Sequence, residues 1–126
     1  MANPTITKCL IGEARMNFVR VFEPENPRNP VHALCAKAID HLFQGALSRA
    51  MSLGDFPLPL KNRWSLPKGE YSDFIGVNYY SRSTISGPAD GVRKNCPKND
   101  LGWEIYPEGI VRVSQMLHDI LPRPIY

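Results

Sequence analysis

The stretch Asp73 to Arg82, "DFIGVNYYSR", decides how this sequence folds. Phe74-Ile75-Gly76-Val77 is a short apolar run without polar alternation, which suits a strand covered on both faces, as in a parallel sheet. The run then gives way to an amide, Asn78, and two phenols, Tyr79 and Tyr80. A buried strand is therefore expected to deliver these polar groups at its carboxyl end.

The flanking segments set the class. Upstream, "CLIGEARMNFVRVF" is rich in apolar and β-branched residues, and a strand is expected over about Arg15 to Phe22. The following "EPENPRNP" cannot be helix interior or central strand, because its prolines break both. From Val31 the apolar residues step by three and one without a miss: Val31, Leu34, Cys35, Ala38, Ile39, Leu42, Phe43, Ala46, Leu47, Ala50, Met51. That spacing predicts a helix of about 22 residues with one apolar face. Asn29 suits its N-cap, Pro30 its first turn and Gly54 its end. "DFPLPLKNRWSLPKGEYS" is expected to be a proline-rich loop, with Trp64 packing it over this helix.

After the "DFIGVNYY" strand, Ser83 to Trp103 is expected to be a long loop, within which "ISGPADG" is a turn-rich connection. "YPEGIVRVSQMLHDIL" predicts a second helix with Ile110, Val113, Met116, Leu117, Ile120 and Leu121 inward, and "RPIY" begins another strand. Strand, helix, strand, helix and a strand stub imply an α/β fold with parallel strands and right-handed crossovers. In such folds the loops after the strands carry the chemistry. Residues 1–126 are expected to form a single domain.

Composition narrows the function classes. Fifteen basic against twelve acidic residues give a net charge of +3 with no run of like charges, which argues against nucleic-acid or membrane partners. Three widely spaced cysteines, Cys9, Cys35 and Cys96, make no disulfide framework, and nothing reads as a leader or a membrane span. A soluble, cytoplasmic protein is expected. His32, Cys35 and His41 lack a metal-ligand pattern, and no nucleophile elbow or phosphate loop is present, so neither metal nor cofactor is expected.

"DFIGVNYYSR" followed about twenty residues later by "LGWEIYPEGI", with "VFEPENPRNP" and "AKAIDHLFQGAL" upstream, closely resembles the second half of a glycoside hydrolase family 1 enzyme. The resemblance covers about Ile11 to Tyr126 and implies a fragment of a (β/α)8 TIM barrel, two β/α units plus a strand stub, from barrel strand five to the start of strand seven. It implies a β-glucosidase-like, retaining O-glycosyl hydrolase. It also implies roles in binding a β-glucoside-type carbohydrate. Asn78 and Tyr80 would lie in the glycone subsite, with the phenol donating to the nucleophile carboxylate and keeping it ionised. Trp103 would be the flat platform on which the aglycone stacks.

Retaining glycosidases need two carboxylates about 5 Å apart. In the family these lie in an Asn-Glu-Pro motif after strand four and a Glu-Asn-Gly motif after strand seven, and neither motif occurs in this sequence. Glu23 in "FEP" imitates the first, but "ENPRNP" aligns it with the connection after strand five. The resemblance therefore implies no catalytic residue here. The chain reads as a hydrolase fragment inactive alone, with one piece of a split glycosidase or a non-catalytic sugar-binding or assembly module as alternatives. Two β/α units leave strands five and six with open edges, which invite pairing with another chain. Light scattering over a concentration series should accordingly find self-associated species or an expanded, loosely packed chain. A compact monomer throughout would contradict the open-edge argument.

Overall fold

A computed structural model of the chain describes residues 13–14, 19–61 and 67–126. The expectations for Cys9, for Trp64 and for the start of the first strand lie outside these. Within them the elements are β1 (Glu13–Ala14), β2 (Val19–Pro24), α1 (Pro30–Asp40), a π-helical stretch (His41–Ala46), α2 (Leu47–Leu53), β3 (Ile75–Gly76), β4 (Tyr79–Ser86), β5 (Ala89–Gly91) and α3 (Gly109–Ile120).

The strands are parallel where helices separate them. β1 pairs with β3, and β2 with β4, so residues 13–24 run beside residues 75–86. On the other side of β3 the carboxyl-terminal residues join in parallel: Ile75 N–H donates to Pro124 O at 2.9 Å, Val77 N–H to Tyr126 O at 2.8 Å and Tyr126 N–H to Ile75 O at 3.0 Å. The alternating strand–helix order read from the sequence is the observed one, and the fold class is α/β.

The sheet is longer than the apolar run suggests. The strand does not end at Asn78; it resumes at Tyr79, runs to Ser86, and turns back through Gly87 and Pro88 into β5. The expected loop from Ser83 thus begins as a strand and a hairpin. Gly87 has φ +62°, a left-handed conformation that suits glycine in so tight a turn. Sequence reasoning passed over this strand because its buried residues are mostly small and hydroxylated (Ser81, Ser83 and Thr84, with Ile85) and give no apolar alternation. The hairpin also covers the far edge of β4, one of the two edges expected to be open. β2 has no strand on its other edge among the described residues.

The long helix starts and ends as expected. Asn29 Oδ1 accepts from Val31 N–H at 3.0 Å, Pro30 occupies the first turn, and Gly54 closes the helix at φ +62°. Its apolar stripe, however, does not pack as one face. Val31, Leu34 and Phe43 are 58%, 70% and 67% exposed, while Ala36, Gln44, Ala46, Ala50 and Ser52 are buried. The reason is the period. Steps of three and one repeat every four residues, whereas an α-helix turns every 3.6, so the stripe drifts by about 40° per repeat and winds around the helix. The wider π turn at His41–Ala46 sits in the middle of this mismatch. Small residues instead line the side toward the sheet, as close helix–sheet packing requires.

The core joins one sheet face to α3. Val21, Ile75, Val113, Leu117 and Leu121 are buried together. Val113, Leu117 and Leu121 are every fourth residue of the second predicted helix, and Ile110 on the same helix is 46% exposed. The amino-terminal end of α3 is fixed by an unusually close approach. A Cβ on Gly109 would lie 1.9 Å from the Tyr79 hydroxyl, which donates to Tyr106 O at 2.6 Å. Burial, with Tyr106 beside it, pushes the Tyr79 phenol up to about 12. Gly109→Ala should therefore destabilise the chain by about 1–3 kcal/mol in urea unfolding, through overpacking. Tyr79→Phe should cost about 1 kcal/mol, the lost hydrogen bond alone. A Gly109→Ala variant as stable as the parent would show that Tyr79 yields freely.

Candidate functional site

The sequence-expected site residues gather at the amino-terminal end of β4. Its register with β2 shifts between Val19 and Arg20, which pair with Tyr79 and Ser81, so the ladder steps past Tyr80. Such bulges re-aim side chains. Here Tyr80 meets Asn78, whose Nδ2 donates to the phenol oxygen at 3.0 Å. The Tyr80 ring also stands edge-on to Trp103, with centroids 5.6 Å apart and planes at 76°. Trp103 is half-buried, and the Arg20 guanidinium lies 5.3 Å from its ring centre. Asn78, Tyr80 and Trp103, more than twenty residues apart in sequence, are thus one group.

Local chemistry fixes Trp103. The Asn99 side chain accepts from Leu101 N–H at 3.1 Å and Trp103 N–H at 2.9 Å, and Gly102 adopts φ +76°. The loop is then fastened to β4. Ser81 Oγ donates to Glu104 O at 2.7 Å, and Arg82 makes a two-pronged ion pair with the Glu104 carboxylate, Nε to Oε2 at 3.0 Å and Nη2 to Oε1. The side chains of Arg82 and Glu104 are 11% and 3% exposed. Arg82 also stacks on Tyr106 at 4.0 Å.

Beside this pair lies Glu23, at the end of β2 and not in the connection where the alignment put it. Its Oε2 accepts from Arg82 and Arg93, each at 3.1 Å, and its Oε1 from Arg112. Burial pushes this carboxyl up, but the Arg112 hydrogen bond and the charges of Arg82, Arg112 and Arg93 outweigh it and hold the group below its ordinary value of 4.5. A carboxyl held ionised makes a poor proton donor at neutral pH. Sequence reading missed this cluster. An arginine in the middle of a buried strand is the signal that could have found it, since such a charge needs a partner. Among the described residues there is no group of three or more His, Cys, Asp and Glu side chains able to hold a metal, and no helix long and apolar enough to cross a membrane.

Two outcomes follow from the charge network. Arg82→Ala should cost about 3–5 kcal/mol, because it leaves Glu104 buried without its guanidinium. Arg112→Ala, with Arg112 52% exposed, should cost less than about 1 kcal/mol. The depressed Glu23 carboxyl contributes stability that is present above pH 4.5 and is lost as pH falls through its lower folded value. Glu23→Gln should remove that part of the acid dependence in urea titrations between neutral and acid pH, and an unchanged profile would contradict it.

Comparison with known proteins supplies the context. No family model matches the sequence. The chain is 48% identical over 61 residues to a 1,4-β-D-glucan glucohydrolase of Thermotoga neapolitana, a match covering 43% of this chain and 14% of that protein. It is 30% identical over 99 residues to a β-galactosidase of Sulfolobus acidocaldarius, covering 52% of this chain and 20% of that protein. The fold superposes on a β-glucosidase of Thermotoga maritima in complex with glucoimidazole, with a TM-score of 0.67 and 23% identity, over 87% of this chain and 29% of the other. The matched regions are thus a fifth or less of these curated relatives. Over those regions the chain is a partial homologue of the β-glucosidases of glycoside hydrolase family 1.

Proposed function

We propose that this chain is a piece of a retaining β-glycosidase: a (β/α)8 TIM-barrel fragment, a single partial domain of two β/α units and a strand stub, that carries part of a β-glucoside site and is inactive alone. The observation that supports this most is the grouping of Asn78, Tyr80 and Trp103 at the end of one parallel strand, in a chain with 48% identity to a glucan glucohydrolase over 61 residues.

In this reading Asn78 and Tyr80 contact the glycone and Trp103 the aglycone. The Asn78 amide orients the phenol, and the phenol donates its hydrogen to a nucleophile carboxylate that this sequence does not supply. Glu23 fills neither catalytic role. As a general acid it would need a raised pKa, and as a nucleophile it would need an accessible oxygen, but arginines hydrogen-bond both of its oxygens. Hydrolysis therefore waits on two carboxylates from another chain, as in a split enzyme. The same grouping supports a second reading, sugar binding without hydrolysis.

The purified chain, its length confirmed by intact mass, should not turn over an aryl β-glucoside. Turnover abolished by Glu23→Gln would overturn the proposal. A titration with glucoimidazole separates the two readings. Saturable binding that weakens roughly tenfold in Trp103→Ala favours the sugar-binding module. No binding by the chain alone favours the fragment that needs its complement.

A further inference from the structure

An open cleft of about 560 Å3 lies between α1, α3 and the carboxyl end of β2. Of the residues grouped around Trp103 it shares Arg20 alone. Its size falls within the range of small-molecule sites, about 300–1,000 Å3. Ala33, Ala36, Val113 and Met116 give it apolar walls, and its charged lining is Arg20, Lys37, Arg93 and Arg112 against Glu23 and Asp40. Basic groups outnumber acidic ones, so the cleft favours an anion.

Gln44 supplies an independent sign of a ligand. It lines the cleft and is only 5% exposed. Its Nε2 donates to Arg20 O and to Asp40 Oδ1, the latter at 3.0 Å, which fixes which way the amide points. Its Oε1 is then a buried acceptor with no hydrogen-bond donor among the described residues. An unsatisfied buried carbonyl costs about 1–3 kcal/mol, and a donor on a bound molecule would relieve it. A carboxylate or phosphate oxygen cannot do so, since it only accepts; a hydroxyl can. The anion has its own partners. Arg93 and Arg112 each direct one terminal nitrogen to Glu23, and a guanidinium carries five N–H donors.

We propose that this cleft binds a small hydroxylated phosphate monoester, with Arg93, Arg112 and Lys37 holding the phosphate and Gln44 Oε1 accepting from a hydroxyl. Both halves are required: the basic lining alone would take inorganic phosphate equally well, and Gln44 alone would take an uncharged polyol.

The test is a titration of the full chain, followed by backbone amide NMR, with glycerol 3-phosphate, inorganic phosphate and glycerol. Saturable shifts at Lys37, Gln44, Arg93 and Arg112 are expected. Glycerol 3-phosphate should bind about fivefold tighter than inorganic phosphate, and glycerol weakest of the three. Gln44→Met should erase the preference for the ester and leave phosphate binding in place. Lys37→Ala, at an exposed position, should weaken both anions by about threefold to tenfold, and it tests the anion half even where the buried substitution disturbs folding. Equal affinity for the ester and for phosphate, or no saturable shift at these residues, would overturn the proposal.

Discussion

The buried ion pair between Arg82 and Glu104 holds together the parts of this structure that matter for function. A charged pair taken out of water is stable only if its geometry is close and its remaining donors and acceptors are satisfied. Here both carboxylate oxygens of Glu104 are used, and the guanidinium also reaches Glu23 and lies on the Tyr106 ring. The pair ties a strand residue to a loop 22 positions later. Through that loop it fixes Trp103 on one side and the start of α3 on the other. The hydrogen bond from Tyr79 to Tyr106 and the close fit of Gly109 against Tyr79 extend the same attachment into the core.

One consequence is that the carboxylate most resembling a catalytic acid is committed to structure. Glu23 is surrounded by guanidinium groups because it stands at the end of β2, beside the strand that carries Arg82 and facing Arg112 of α3. The environment that makes it a good anchor makes it a poor acid. Catalysis by paired carboxylates needs environments that push their affinities for protons apart, and this cluster pushes its one carboxyl toward permanent charge. The sugar-site group and the basic cleft then stand on a common scaffold, with Arg20 reaching both.

Much of the architecture was legible in the sequence. The proline-marked connections, the capped helix from Pro30 and the apolar run at Phe74–Val77 specified an alternation that only parallel strands satisfy, and "RPIY" was readable as the next strand. Asn78, Tyr80 and Trp103 were legible as a set through their resemblance to a family pattern. The serine-rich part of β4 was not, because its residues are buried by neighbours in space and show no hydrophobic period. The inward face of the long helix was misread for a related reason. A four-residue repeat looks amphipathic when written out, yet on a 3.6-residue helix it spirals, and the face that packs is decided by which residues are small enough to approach the sheet.

The sequence by itself determined the order of elements, the helix boundaries and the α/β class, since these depend on local signals: capping groups, proline, glycine and runs of apolar residues. The tertiary structure alone decided which charges meet. Glu23, Arg82, Arg93, Glu104 and Arg112 span some ninety residues, and no spacing rule brings them together. Their pairing follows from the parallel register that sets β2 beside β4 and from the packing of α3 over both. Electrostatic partners are chosen by proximity after folding, and proximity between distant segments is the one quantity a linear pattern does not carry.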